Sequence, residues 1–322
     1  MADIRIDVPH LPPRGGDVLG SAASVSTGGG FNVLAAAARN GLPSAFGGRH
    51  GTGPLGMRIR ADLAREGIAT LFPPSPEADS GFCIVMVEPD GERTFITSPG
   101  VESQVGTRKL SSLDLGSSDA VFVSGYDLGY PALGSEITRW SGLLTPDVLL
   151  VVDPGPLVAD IPIDILDAAL SRTSILTLNR REATLFAGTD NLDGIAEVVL
   201  PRLPTDALLI VRDGPAGCVL LGARLPDAPV HIGAPSVRML DSTGAGDAHT
   251  GVFIAATAAG LDPVSAAARA NAAAAISVTR RGPATAPTTE ELEAFLATRP
   301  QFGAGPLART RASAPETANS RE

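Results

Sequence analysis

The fold of this chain is decided by a short glycine-rich stretch, Asp241-Ser242-Thr243-Gly244-Ala245-Gly246-Asp247-Ala248-His249-Thr250-Gly251, which runs directly into a helical pattern over Val252–Ala259. Small residues allow a tight backbone turn, so the N–H groups of residues 245–247 can converge at the positive end of the following helix. Such a pocket would bind a phosphoryl group. Asp247, inside this turn, is well placed to take a proton from a hydroxyl group that attacks phosphorus. The alternative is a loop whose Asp247 only caps the helix, and this stretch alone favours neither interpretation.

Two further motifs favour the phosphoryl site. Asn179 and Glu182 follow an apolar run and lie one helical turn apart, and their oxygens suit a hydrated Mg²⁺ ion, although an ordinary capping pair has the same spacing. A third glycine turn, Arg212–Gly217, follows the next apolar run. Ligands of α/β sheets collect at the carboxyl ends of the strands, so the three motifs together predict a nucleoside triphosphate site.

Short apolar runs alternate with amphipathic helical patterns from about Val121 onward. The runs are apolar throughout, which is typical of parallel strands that are covered on both faces. This rhythm predicts an α/β sheet. The predicted strands are Ala120–Ser124, Val148–Val152, Ile175–Leu178 and Ala207–Val211, and the helical patterns between them include Ile163–Ser171 and Gly194–Leu203.

The pattern before Val121 differs. Ser80–Val87 and Glu92–Thr97 flank an Asp-Gly turn signal at residues 90–91, which predicts a β-hairpin that forms a separate flap. Helices are predicted over Asn32–Asn40 and Gly56–Glu66, because each pattern ends before a glycine. Residues 301–322 lack periodicity and are rich in Ala, Arg, Thr, Ser and Pro, so we expect a disordered tail.

Composition excludes several classes of function. The 322 residues carry a formal net charge of −10, which gives no electrostatic surface for nucleic acid or for an anionic membrane. The most apolar stretch, Gly251–Val278, is interrupted by charged and polar residues, so no membrane span is predicted. Cys83 and Cys218 lie in apolar runs as isolated small residues, and no secretory signal is visible, so we expect a cytoplasmic protein.

The motifs resemble those of the ribokinase-like (PfkB) carbohydrate kinases. Asp241–Gly251 is similar to the family's C-terminal signature, and Gly28-Gly29-Gly30-Phe31-Asn32 is similar to its N-terminal signature. Asn179 and Glu182 match its Asn-x-x-Glu element. The resemblance implies a ribokinase-like fold over residues 1–298, with a doubly wound, mostly parallel sheet flanked by helices and a small β-lid from about 4–30 and 80–105.

The resemblance also implies a role for each matching residue. Asp247 would be the catalytic base, and the γ-phosphoryl group of ATP would be received by Gly244, Ala245 and Gly246. Mg²⁺ and its waters would be held by Asn179 and Glu182. The nucleotide would contact Asn179, Asp213, Gly214 and Gly217, with Asn271 near the adenine. The sugar would contact Asp3, Gly28, Gly29 and Asn32 as well as Asp247. A monovalent cation, K⁺, would lie near Asp241, Thr243 and carbonyl groups of residues 278–284.

The implied activity is ATP-dependent phosphorylation of a hydroxymethyl group of a sugar, as in ribokinases and fructokinases. Two alternatives stay open: a nucleoside kinase of the same fold, and a sugar-sensing homologue without turnover. The exposed edge of a β-lid also favours a homodimer through the lid. The sequence does not name the sugar, since specificity depends on a few contacts in the pocket.

Four features depart from the family pattern. Asp3 lies so close to the start of the chain that the first core strand is expected to be missing or very short, and His249 replaces the usual aromatic residue as a packed helix residue. Arg49–Gly53 replaces an acidic turn, and no glutamate follows Ser124-Gly125, so ribose itself is not assured.

Gly51-x-Gly53-x-x-Gly56 fits a dinucleotide fingerprint but lacks the preceding apolar strand, so an oxidoreductase is not predicted.

Overall fold

The computed structural model describes residues 1–104, 110–223, 225 and 229–302. Its strands are β1 (Ala2–Asp7), β2 (Ala22–Thr27), β3 (Ala45–Phe46), β4 (Ala69–Thr70), β5 (Phe82–Val87), β6 (Arg93–Ser98), β7 (Ala120–Ser124), β8 (Leu149–Asp153), β9 (Ile175–Asn179), β10 (Leu208–Arg212), β11 (Cys218–Leu221) and β12 (Val230–Ile232). Its α-helices are α1 (Gly30–Arg39), α2 (Pro54–Arg65), α3 (Gly125–Gly129), α4 (Pro131–Ser141), α5 (Ile163–Leu170), α6 (Arg180–Ala187), α7 (Leu192–Val199), α8 (Ala245–Ala258), α9 (Pro263–Ser277) and α10 (Thr289–Ala297).

The main sheet has six strands in the order β12-β11-β10-β9-β8-β7. Strands β7 to β10 are parallel, whereas β11 and β12 run antiparallel to their neighbours. The four parallel strands are the four that the apolar runs predict, each within one residue of its expected bounds. The predicted α/β sheet is therefore confirmed.

Both faces of this sheet are covered, which explains why its strands are apolar throughout. On one face Leu150 and Leu176 pack in a cluster with residues of α5, α6 and α7. On the other face Val151 and Ile210 pack with residues of α1, α8 and α9. Removing most of one such side chain, as in Leu176→Ala, typically costs about 2–5 kcal/mol because a cavity remains.

A second sheet of four strands lies in the order β2-β1-β5-β6. Strand β1 pairs antiparallel with β2 and parallel with β5, and β5 and β6 form the predicted hairpin around the Gly91 turn. The register places Asp3 opposite Cys83 and Arg5 opposite Val85, so these four side chains share one face. The segments expected to form a β-lid thus supply the strands of this four-stranded sheet.

The structure also corrects several expected boundaries. Within its described residues, the main sheet takes no strand from before Ala120, and β1 instead joins the four-stranded sheet. Helix α8 begins at Ala245 rather than at Val252, because the glycine turn itself opens the helix. Gln301 and Phe302 lie in a short 3-10 helix, whereas residues 303–322 of the expected tail lie outside the described residues. None of the described helices has the length and apolar character needed to cross a membrane.

Candidate active site

The carboxyl ends of the parallel strands carry polar side chains at one edge of the main sheet. Strands β7 to β10 end at Ser124, Asp153, Asn179 and Arg212, and the register pairs Ser124 with Asp153 and Asn179 with Arg212. Arg212 reaches across β9 to Asp153, with Nη2 and Oδ2 2.9 Å apart. This edge is the crevice in which α/β sheets bind their ligands.

The glycine turn approaches the same edge and becomes the first turn of α8. Gly244 is the N-cap with φ +74°, and a Cβ atom at this position would overlap the carbonyl oxygen of Pro283. Only glycine therefore suits this position. Among the described residues, no side chain caps the helix, so its N-terminal amides keep their attraction for an anion, although the Ala245 N–H also approaches the Ser242 carbonyl oxygen at 3.3 Å.

Asp247 lies in this first turn and is partly buried beside α1. Asn32 of α1 donates a hydrogen bond from Nδ2 to Asp247 Oδ2 over 2.9 Å. The two helices approach closely because Gly251 of α8 lies against the carbonyl oxygen of Val33. Burial and the negative charge of Asp153 together outweigh the hydrogen bond from Asn32 and raise the pKa of Asp247 to about 6. A base with a pKa close to neutrality is suited to proton transfer.

A guanidinium group lies directly beside the anion-binding turn. A Cβ atom on Gly246 would overlap Arg212 Nη1, so only a glycine lets the guanidinium approach the backbone here. Arg212 is fixed by Asp153 and, at 3.6 Å, by Glu182 Oε2. Arg212 and Asp153 are not among the site residues predicted from the sequence. Each is nevertheless a charged residue at the carboxyl end of an otherwise apolar strand, which is a signal that the sequence contains.

Asn179 and Glu182 form a reciprocal capping box at the start of α6. The Asn179 N–H donates to Glu182 Oε2 over 2.7 Å, and the Glu182 N–H donates to Asn179 Oδ1 over 2.8 Å. Glu182 is buried, and its pKa is raised by that burial and by the charge of Asp153. The capping interpretation is thus confirmed, and it leaves Glu182 Oε1 free of the capping contacts.

This donor set fits a Mg²⁺ ion that is shared with a nucleotide. Carboxylate oxygens are the ligands that Mg²⁺ prefers, and it usually takes one or two of them together with water and phosphate. Within the described part of the chain, no three Asp, Glu, His or Cys side chains come together to hold a metal by themselves. Glu182, with Asp153 close enough to raise its pKa, would therefore hold the ion only together with phosphate oxygens and water.

The residues predicted to contact the nucleotide lie at the next turn of the same edge. Asp213, Gly214 and Gly217 form the tight turn between β10 and β11, in which the Asp213 N–H donates to the Gly217 carbonyl oxygen over 2.7 Å. Asp213 also accepts a hydrogen bond from Arg180 Nη2 over 2.8 Å. Asn271 is buried, and its amide donates to the carbonyl oxygen of Ile232 at 2.9 Å and to that of Gly233 at 3.4 Å.

The hydrogen bonds of Asn271 fix the backbone at residues 232–233, where strand β12 ends. A contact between this backbone and adenine stays a prediction.

The residues predicted to hold the sugar meet under the four-stranded sheet. The carboxylate of Asp3 lies against the backbone of Gly28, next to Gly29 and the start of α1. Burial raises the pKa of Asp3 to about 6, and its charge contributes to the raised pKa of Asp247. Tyr126 of α3 is not among the site residues that the sequence predicts, and burial together with the charges of Cys83, Asp3 and Asp247 raises its pKa to about 12. Asp3 is thus close enough to the candidate base for the two charges to interact.

The site expected for K⁺ is occupied by a side chain of this protein. Asp241 Oδ1 accepts hydrogen bonds from the N–H and the hydroxyl of Thr243 at 2.9 and 2.7 Å, and Oδ2 accepts from the N–H of Gly282 at 3.2 Å and from Arg5 Nη1 at 2.7 Å. Burial alone would raise the pKa of Asp241, but these hydrogen bonds outweigh it and hold the pKa below its usual value. The Asp241 carboxylate and the Thr243 hydroxyl, as arranged, do not fit K⁺.

Two other expectations have a clear structural outcome. His249 is buried, and burial together with the charge of Arg212 lowers its pKa to about 3, so it is a neutral residue packed parallel to Phe253.

The Gly51–Gly56 turn does not resemble a free dinucleotide site. The carboxylate of Asp79 accepts hydrogen bonds from the N–H groups of Leu55 and Gly56 and so fills the N-terminus of α2.

Comparison with known proteins identifies the relatives of this chain. The model of the family described as "pfkB family carbohydrate kinase" matches residues 1–290. Among curated proteins, the chain is 32% identical over 303 residues to "Uncharacterized sugar kinase YegV" of Escherichia coli, covering 90% of this chain and 89% of that protein. It is 27% identical over 304 residues to a ribokinase of Haemophilus influenzae, covering 92% and 95%.

Solved structures show the same fold. The ribokinase of Giardia lamblia superposes with a TM-score of 0.79 at 23% identity, covering 92% of this chain and 96% of that one. This match confirms a ribokinase-like α/β architecture, with a parallel core sheet flanked by helices. The predicted resemblance and fold class are therefore both correct.

Proposed function

The chain belongs to the pfkB family of carbohydrate kinases and is an ATP-dependent sugar kinase, and we propose that Asp247 is its catalytic base. One observation carries this proposal. The Asp247 carboxylate lies partly buried in the first turn of α8, where it accepts a hydrogen bond from Asn32 and is close to the helix amides and to Arg212. A base and an anion-binding site therefore lie within one helical turn of each other.

In the proposed reaction, ionised Asp247 takes the proton from a hydroxymethyl group of the bound sugar. The hydroxyl oxygen forms a bond to the γ-phosphorus of ATP while the bond from that phosphorus to the β,γ-bridging oxygen breaks. The products are ADP and the phosphorylated sugar, and the proton passes from Asp247 to solvent. Hydrogen-bond donors aimed at the transferred group stabilise its charge, which is the main source of catalysis in phosphoryl transfer.

The donors for this charge are the backbone of Gly244, Ala245 and Gly246 together with Arg212. Arg212 is held against Gly246 by two carboxylates before any substrate binds, so its guanidinium needs little reorganisation. Mg²⁺, bound through Glu182 and water together with the phosphates, would neutralise charge on the transferring group. Asp213, Gly214 and Gly217 would line the remaining phosphates.

Asp3, Gly28, Gly29 and Asn32 would hold the sugar beneath the four-stranded sheet, which would close as a lid and exclude water from the reaction. A second candidate acceptor is a nucleoside. The observation that favours it is Tyr126, an aromatic residue whose pKa is raised by burial and by the charges of Asp3 and Asp247, and whose ring would pack against a base.

Two further properties are part of the proposal. Strand β6 forms an outer edge of the four-stranded sheet and exposes Phe95 and Ile96, so a second copy of the chain could pair there and form a homodimer. Cys83 and Cys218 are buried free thiols, which is compatible with the reducing cytoplasm expected from the sequence.

The test is release of ADP measured with a panel of pentoses, hexoses, phosphosugars and nucleosides. The wild-type protein is expected to release ADP with at least one sugar, and Asp247→Ala should lower that rate by about 10²- to 10⁴-fold while ATP still binds. Asp190→Ala, which changes an exposed carboxylate away from the strand ends, is the matched control and should keep full activity. Full activity of Asp247→Ala would refute the assigned role, and a preference for nucleosides would select the second candidate.

A further inference from the structure

Two arginines of the four-stranded sheet reach the turn that leads into α8. Arg5 of β1 donates from Nη1 to Asp241 Oδ2 over 2.7 Å. Arg93 of β6 donates from Nη1 to Thr243 Oγ1 over 2.8 Å and from Nη2 to Ser242 Oγ over 3.0 Å. The sheet therefore touches the proposed anion-binding turn through two cationic side chains.

The Arg5 contact is a partly buried ion pair. The Arg5 side chain is 25% exposed and the Asp241 side chain only 11% exposed. Arg5 Nε also donates to Asp7 Oδ1 over 2.8 Å, which fixes the guanidinium on the inner face of β1. An ion pair of this burial is screened less by solvent and salt than one on the surface.

Asp241 joins three separate parts of the chain. It accepts from Thr243 within its own turn, from Gly282 of the loop that lies against Gly244, and from Arg5. An ionised carboxylate offers about four lone-pair positions, and four donors already point at this one. No acceptor capacity is left for a metal ion, and a cation would also be repelled by the guanidinium.

We propose that Arg5 supplies the positive charge at Asp241, so that this enzyme transfers phosphate without K⁺ and the four-stranded sheet holds the anion-binding turn in place. This inference rests on the proposed function of that turn. Arg5 is a positioning residue, because it acts on the turn through Asp241. Without Arg5, Asp241 would be a partly buried carboxylate with no cationic partner, and a small cation from solution could then take the vacated position.

The test compares wild-type protein with Arg5→Met, which removes the charge and keeps most of the side-chain volume. ADP release and the melting temperature of the substrate-free protein are measured in KCl and in tetramethylammonium chloride at an ionic strength of about 0.1 M. Wild-type protein should give the same rate and melting temperature in both salts. Arg5→Met should lose about tenfold or more in kcat in tetramethylammonium and recover several-fold in KCl. Its melting temperature should rise by about 3 °C with K⁺.

Two controls separate charge from structure. Arg5→Lys keeps a cation at this position and should stay independent of K⁺. Arg202→Met removes an arginine from a pair with Asp167 away from the site, with 3.5 Å between Nη1 and Oδ1, and should not respond to K⁺ in either assay. If Arg5→Met does not fold, the wild-type comparison and Arg5→Lys still test the proposal.

A wild-type rate or melting temperature that rises with K⁺ would overturn the proposal. So would a folded Arg5→Met protein that is inactive in both salts and whose melting temperature ignores K⁺, because Arg5 would then have a purely structural role. Absence of ADP release from wild-type protein with every acceptor would instead count against the proposed function. The melting temperatures still test the Arg5 inference in that case.

Discussion

The substitution Asp247→Asn should make the protein inactive and more stable. Burial raises the pKa of Asp247 from 3.8 to about 6, so the folded protein disfavours the ionised form. Because the folded protein binds this proton more tightly than the unfolded chain, protonation of Asp247 stabilises the fold. This contribution is complete below the unfolded pKa of 3.8 and is lost as the pH rises through about 6. At pH 8 the difference corresponds to a cost of about 3 kcal/mol in the free energy of unfolding.

Asparagine removes this cost and keeps the local contact. Its amide oxygen can still accept the hydrogen bond from Asn32 Nδ2, which Asp247 accepts over 2.9 Å. At pH 8 we therefore expect the variant to gain up to about 3 kcal/mol, which for a domain of this size raises the melting temperature by about 4 to 5 °C. At pH 5 the gain should fall to roughly half, because the wild-type carboxyl group is then largely protonated.

The assay is thermal unfolding of ligand-free wild-type and variant protein from pH 5 to pH 8. Asp262→Asn is the matched control, since the pKa of Asp262 is lowered, first by the Ser265 side chain and then by the amides it caps. Loss of that charge should decrease stability. If the melting temperature of Asp247→Asn were unchanged or lower at pH 8, or if its difference from wild type did not vary with pH, the burial argument for Asp247 would be wrong.

The remaining predictions concern turnover. Gly246→Ala places a Cβ atom where Arg212 Nη1 lies, so kcat should fall about 10²- to 10³-fold while the circular dichroism spectrum stays unchanged. Arg212→Met should lower kcat by a similar factor of about 10²–10³ with a smaller change in the KM for ATP. A rise in the KM for ATP with an unchanged kcat would contradict the role of Arg212 at the γ-phosphoryl group. The wild-type kcat/KM should fall below about pH 6, because Asp3 and Asp247 both have pKa values of about 6 and act when ionised. In a plot of log(kcat/KM) against pH, the limiting slope at low pH should be two. Asp3→Asn should reduce that slope to one. Glu182→Gln should raise the Mg²⁺ concentration needed for half-maximal rate, measured at fixed ATP, and an unchanged Mg²⁺ titration would remove Glu182 from the metal site.

The parallel strands and the capping box could be predicted from the sequence because both are local signals. Strands β7 to β10 are continuous apolar runs, and they are apolar because clusters of helices cover both faces. Asn179 and Glu182 have the spacing of a capping box, and the structure shows both of its hydrogen bonds. Residues that act within one helical turn of each other can be recognised from spacing alone.

The contacts that complete the site could not be predicted in this way. Arg5 and Asp241 are 236 residues apart, and no local pattern indicates that they form an ion pair. Arg212 and Asp153 are 59 residues apart and meet only because β9 lies between their strands. Pairings of this kind depend on strand order, which periodicity does not encode.

The same long-range contacts bear on how the chain is synthesised. The Asp247 carboxylate is bound by Asn32, 215 residues earlier, so the two can meet only after most of the polypeptide has left the ribosome. Until residues 241–247 emerge, Arg5 of β1 and Asn32 of α1 lack the Asp241 and Asp247 carboxylates that they contact in the folded protein. High contact order of this kind slows folding, and an incomplete nascent chain would hold its substrate-facing residues in water without being able to phosphorylate anything.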